Sequence, residues 1–175
     1  MARVLLSILL VLSIAGCGYT TGSLLPAKYR KIAIQPFVNK VNNLDQEGTG
    51  DVLYVPLLEG NVRTAIIDRF LFDGSLHIAE PDKADLVLSG DLIGVAQDEL
   101  RQDTNQNVQE YQIRIIVSLT LKDRATGKVL WREPSFAGET TYFLTGTQAT
   151  TQSAAIDAAL TDLATRVVER TIENW

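Results

Sequence analysis

The chain has 175 residues, with 16 Lys and Arg against 21 Asp and Glu and a formal net charge of −5. That balance excludes a surface holding nucleic acid or anionic lipid by charge alone, since both need a basic face. Its single cysteine excludes an internal disulfide, so the fold must rest on its core.

The chain opens with one positive charge, Arg3, and an apolar run from Val4 to Ile14 broken only by Ser7 and Ser13. This is the pattern of a secretory signal peptide. The run falls short of the roughly 20 residues of a membrane span, and no second run reaches that length. Ile14-Ala15-Gly16-Cys17 resembles a bacterial lipobox, a branched apolar residue and two small residues before cysteine. The resemblance implies a diacylglycerol on the Cys17 thiol, cleavage before Cys17 and acylation of the new amine. Gly18 stands where an aspartate would resemble an inner-membrane retention signal, which points to the outer membrane. Residues 1–16 are thus expected as a signal peptide, and their loss leaves 15 basic against 21 acidic residues.

Residues 17–28 are expected as the lipidated terminus and a flexible tether, rich in Gly, Thr and Ser. Residues 29–175 are expected as one domain. Tyr29 to Val38 reads as a first strand, with Pro36 marking an edge or a strand end. A polar loop, residues 39–51, precedes a helix whose first turn suits Pro56. Leu57, Leu58, Val62, Ala65, Ile66 and Phe70 make its apolar stripe, and Asp73-Gly74 stops it.

Leu76 to Ala79 is a short extended piece. Ala84 to Gln97 reads as a strand with a bulge at Gly90 or Gly94, and residues 98–107 as a polar hairpin loop. Gln109 to Lys122 alternates strictly. Tyr111, Ile113, Ile115, Val117, Leu119 and Leu121 share one face, while Gln112, Arg114, Ile116, Ser118, Thr120 and Lys122 share the other. A turn ending at Gly127 leads to a returning strand, Lys128 to Phe143, bulged near Pro134. Thr151 or Ser153 caps a last helix, with Ile156, Ala159, Leu160, Leu163, Val167 and Thr171 on its apolar side. The order β-α-(β)-β-β-β-α predicts an α+β two-layer sandwich, a four-stranded mixed or antiparallel sheet with two helices packed on one face.

No catalytic constellation stands out. His77 is the only histidine and has no ligand-spaced neighbours, so no metal site and no enzyme are expected. No cofactor is expected beyond the covalent lipid. The polar sheet face carries no predicted helix and is the place for a partner. Arg101, Lys128 and Arg132 lie near loops or strand ends, where charge-assisted bonds to phosphate or carboxylate are available.

Several stretches together resemble the LptE family, the lipoproteins of outer-membrane lipopolysaccharide assembly. They are Gly16-Cys17-Gly18-Tyr19, Arg30-Lys-Ile-Ala-Ile-Gln-Pro-Phe37, Arg69-Phe-Leu-Phe-Asp-Gly74, Ala84-Asp-Leu-Val-Leu-Ser-Gly90, Glu110-Tyr-Gln-Ile113, Leu121-Lys-Asp-Arg-Ala-Thr-Gly127, Gly138-Glu-Thr-Thr-Tyr-Phe143 and Arg170-Thr-Ile-Glu-Asn-Trp175. The resemblance implies two helices on a four-stranded sheet and a large β-barrel partner, LptD, with this domain as its plug. It implies lipopolysaccharide as ligand, for which Arg101, Lys128 and Arg132 are candidate contacts by their placement rather than by the resemblance, and a lipid-anchored position on the periplasmic side of the outer membrane. The Lys31–Phe37 stretch also resembles CsgG-like and TolB amino-terminal domains. A lipoprotein that activates a peptidoglycan synthase is the other alternative.

Overall fold

The alternating strand at the centre of the sequence becomes the centre of the sheet. In the computed structural model, which describes residues 25–41 and 51–173, this strand is β6, Val108–Asp123. Ile113, Ile115, Val117, Leu119 and Leu121 are all buried, and the residues between them are not. Around it lie β1 (Lys31–Ile34), β2 (Val38–Asn39), β3 (Asp51–Val52), α1 (Leu58–Asp73), β4 (His77–Ile78), β5 (Leu86–Gln102), β7 (Val129–Phe143) and α2 (Gln152–Ile172).

The sheet runs β4-β1-β5-β6-β7, with β2 and β3 also paired to β5. The expected four strands are therefore too few, although the α+β sandwich is as expected. The extra strands are two residues long: β2 and β3 find room because β5 is 17 residues long, and β4 adds to the outer edge of β1. One edge of β5 takes β1 and β2 in parallel and then β3 antiparallel, one after another. The first strand is also shorter than expected, because Pro36 interrupts it between β1 and β2. Conversely, residues 98–102 are strand rather than loop, and the turn is confined to Asp103–Asn107. The predicted bulge falls between Leu92 and Gly94.

Both helices pack into one core with the buried sheet face. In α1 that stripe is Leu58, Val62, Ile66 and Phe70. Leu57 is not part of it. It precedes the helix in the left-handed region (φ 57°, ψ 20°) with its side chain 76 % exposed. Thr151 caps α2 by accepting from the Ala154 N–H, as expected. Beyond the predicted stripe, α2 also buries Ala155, Ala164 and Val168, because it touches α1 as well as β6 and β7.

β7 is an edge strand, and α2 closes part of that edge. The Asp162 carboxylate accepts from the Glu139 N–H at 3.0 Å, and the Arg166 guanidinium donates to the Ala137 carbonyl. Farther along, the Thr150 N–H donates to the Phe143 carbonyl. Pro134 supplies no donor at all. The outer face of the sheet carries no helix among the described residues.

Candidate functional surface

The even-numbered residues of β6 build this face, and their cross-strand partners extend it. Ser89, Asp91 and Asp98 come from β5, opposite Thr120, Ser118 and Gln112. Arg132, Glu139 and Thr141 come from β7, opposite Thr120, Arg114 and Gln112. Among the described residues no helix lies on it, yet most of its β6 side chains are half-buried by their neighbours.

Polar groups on this face answer one another. Arg114 Nη2 lies 2.6 Å and Nε 2.9 Å from Asp98 Oδ2. Gln112 donates to Glu139 at 3.4 Å. Lys40 donates to Asp91 at 2.8 Å, and Ser118 donates to the same carboxylate oxygen at 3.5 Å. Beside this pair runs an open groove of about 180 Å³, walled by Gln35, Pro36 and Val38 on one side and Ser89, Asp91, Ser118 and Thr120 on the other. Its hydroxyls and carboxylate hydrogen-bond a sugar or amide well and offer little to an alkyl chain.

The three sequence-predicted cations do not converge. Arg101 stands opposite Glu110, 3.3 Å from its carboxylate and 5.7 Å from the Phe143 ring centroid. Arg132 stands opposite Thr120, at the other end of β6. Ten residues of β6 separate Glu110 from Thr120, roughly 33 Å at strand rise. Lys128 is with Arg132, in the β6–β7 turn one residue before Val129. Lys122 pairs with Val129 and joins them. Lys122, Lys128 and Arg132 are exposed and have no ion-pair partner among the described residues. The alternation places Lys122 on this face, but only the register across the turn joins it to Arg132. Cys17 and residues 1–16 lie outside the described residues.

The same turn is held by Asp123, only 6 % exposed. Its carboxylate accepts from the Thr126 N–H at 3.0 Å, the Tyr29 hydroxyl at 2.9 Å and the Lys28 ammonium at 3.4 Å. The Thr126 N–H first, then the Tyr29 hydroxyl, hold this carboxyl far below the usual carboxylate range. The arrangement fixes the first described segment to the β6–β7 turn and positions the cation cluster beside it. His77 is exposed in β4, and among the described residues no three His, Cys, Asp or Glu side chains group as metal ligands. Among those residues no helix is long and apolar enough to cross a membrane.

Comparison with known proteins bears on this architecture directly. The hypothetical protein CT253 from Chlamydia trachomatis superposes with a TM-score of 0.53 at 12 % identity, covering 82 % of this chain and 95 % of that one. XCC0632 from Xanthomonas campestris gives 0.51 at 14 % identity, covering 84 % and 88 %. Rare lipoprotein B from Shewanella oneidensis gives 0.41 at 13 % identity, covering 79 % and 89 %. At such identities the first two establish a shared fold. A sequence comparison with curated proteins returns no match. The family model described as "LptE: Lipopolysaccharide-assembly" matches residues 29–172, the whole of the sandwich from Tyr29 to the end of α2. The chain belongs to the LptE family of lipopolysaccharide-assembly proteins.

Proposed function

We propose that this protein is a non-catalytic outer-membrane lipoprotein, acylated at Cys17, that plugs an LptD-like β-barrel and handles lipopolysaccharide on its way to the outer leaflet. The observation that carries this reading is the outer sheet face. It is long and largely polar, its central charges are paired with one another, and among the described residues no helix covers it, while the apolar bulk of the domain faces inward. A barrel lumen is polar and wet, so a plug needs such a surface. An enzyme would instead need reactive side chains gathered in a cleft.

For the ligand, Lys128 and Arg132 with Lys122 form the principal site for phosphate or carboxylate groups, and Arg101 forms a separate contact about 33 Å away by strand rise. The acidic net charge makes recognition local, resting on these cations rather than on the field of the whole molecule. The neighbouring groove takes sugar hydroxyls on Ser89, Ser118, Thr120 and Asp91.

Pull-down of the full chain from detergent-solubilised outer membrane tests the partner. A large barrel recovered in near-equal amount is the expected result. A homo-oligomeric ring, as in the CsgG or TolB reading, or a peptidoglycan synthase in place of the barrel would overturn it.

A further inference from the structure

Leu71 and Phe72 close α1 on its solvent side, where Leu71 is 63 % and Phe72 81 % exposed. Burial one turn earlier follows the helix period, with Ile66 and Phe70 inside, so the pair is not a frayed part of the core stripe. The Arg69 guanidinium lies 5.2 Å from the Phe72 ring centroid and leaves most of the ring in solvent. Two adjacent large apolar side chains on a solvent face cost solubility and gain the fold nothing.

Their place in the fold says what they meet. Gly74, at φ 77°, ends the helix, and three residues later His77 pairs with Lys31 and donates its N–H to the Arg30 carbonyl. The end of α1 is therefore at the start of β1. The chain reaches β1 through Leu25, which packs on the core, and Lys28, which is held by Asp123. The covalent path from the amino-terminal side thus arrives at the end of the domain that carries Leu71 and Phe72. Seven residues lie between Cys17 and Leu25, and the extended reach from one to the other is at most about 28 Å.

We propose that, before the domain enters its barrel, Leu71 and Phe72 insert into the phospholipid surface that holds Cys17 and so orient the free domain with this end against the bilayer. The inference rests on the acylated Cys17 of the proposed function. Anchoring makes the second contact intramolecular, so two modest apolar side chains are enough to set orientation. Next to the pair in sequence stand charges of both signs, Arg69 and Lys83 against Asp68, Asp73, Glu80 and Asp82, and the Lys122, Lys128 and Arg132 cluster lies at the same end of the sheet. On a phosphatidylcholine surface, which has no net charge, the attraction is apolar rather than coulombic, and salt leaves it unchanged.

The full acylated chain, reconstituted in phosphatidylcholine vesicles, supplies the test. Acylation consumes the Cys17 thiol, so Leu71→Cys gives one site for a nitroxide label, and Tyr54→Cys, ahead of the opposite end of α1, gives a reference. The expected oxygen accessibility relative to a water-soluble nickel chelate is several-fold higher at 71 than at 54, at low and high salt alike. Equal nickel access at both positions, with intact mass confirming acylated Cys17, overturns the insertion alone. A label at 71 shielded from both reagents, in vesicles that hold this protein alone, overturns it in favour of a contact between copies of the chain. A chain whose mass shows no acyl addition overturns the lipoprotein reading and this inference with it.

Discussion

Gly138 of β7 lies directly beneath Leu163 of α2. A Cβ placed on Gly138 would stand 2.3 Å from the Leu163 Cβ, 2.5 Å from its backbone nitrogen and 2.6 Å from the Ala159 carbonyl oxygen. Two of these three atoms are backbone, so no rotamer change makes room. The helix would have to lift from the sheet. Gly138→Ala is expected to destabilise the domain by about 1–3 kcal/mol, the usual range for overpacking, and Gly138→Val by more. Urea unfolding followed by far-UV circular dichroism checks this. An unchanged midpoint for Gly138→Ala would mean that α2 is not seated on β7 as described.

The same helix closes the β7 edge through Asp162 and Arg166. Removing both side chains frees the Glu139 N–H and the Ala137 carbonyl, the template on which another strand can add. The double variant Asp162→Ala/Arg166→Ala is expected to associate with itself at concentrations where the parent stays monomeric. Light scattering of the purified domain across a concentration series reads this out. If both proteins remain monomeric to the same concentration, the edge is protected by some other means.

Leu57 carries a conformational cost with no visible return in the fold. A left-handed backbone costs a non-glycine residue about 1–2 kcal/mol, and the exposed leucine side chain gives back no burial. Leu57→Gly is expected to stabilise the domain by roughly 0.5–1 kcal/mol, since glycine's greater unfolded-state entropy offsets part of the relief. A lower urea midpoint for the variant would show that the Leu57 side chain makes a contact worth more than the strain.

These cases mark how far the sequence was legible. β6 could be read residue by residue because one buried face forces a strict period of two. The Gly74 stop and the Thr151 cap were legible because each is local chemistry. Residues 98–102 were not, because Asp98, Arg101 and Gln102 look like loop until Arg114 and Glu110 on β6 pair with Asp98 and Arg101. Strands of two residues carry no period, so β2, β3 and β4 are visible only once β5 and β1 offer an edge. The left-handed Leu57 is imposed by the fold against its residue type. In the candidate site the cations were visible as cations. Their separation depends on strand register, which the sequence leaves open until the turn at Gly127 is placed.

Asp123 should make acid stability depend on the segment that precedes β1. Its folded pKa is depressed, so the unfolded state binds more protons as pH falls. The stabilisation is full above the ordinary carboxylate pKa of about 4 and is lost progressively below it. Asp103, held down by hydrogen bonds from Asn107, acts in the same direction. Asp123→Asn is expected to be less stable than the parent at neutral pH and to lose less stability on acidification. Tyr29→Phe, which removes a hydroxyl from the same carboxylate, should shift in the same sense by less. Denaturant midpoints measured from pH 7 down to pH 3 decide this. A parallel decline for parent and Asp123→Asn would remove Asp123 from the account.

Lipopolysaccharide binding should divide between the two ends of the sheet face. Lys122, Lys128 and Arg132 have no carboxylate partner among the described residues, whereas Arg101 has Glu110 at 3.3 Å. A cation already paired has less to gain from a phosphate, because binding must first give up the existing contact. Lys128→Ala/Arg132→Ala is expected to weaken binding about tenfold or more, equivalent to about 1.4 kcal/mol. Arg101→Ala should weaken it by less. The sites are too far apart to share a partner, so the triple variant should show the sum of the two free-energy losses. Titration of labelled lipopolysaccharide against the purified proteins measures all three. Unchanged binding in the triple variant removes these cations from lipopolysaccharide recognition. A loss well beyond the sum would mean that one rigid ligand spans both ends of the face.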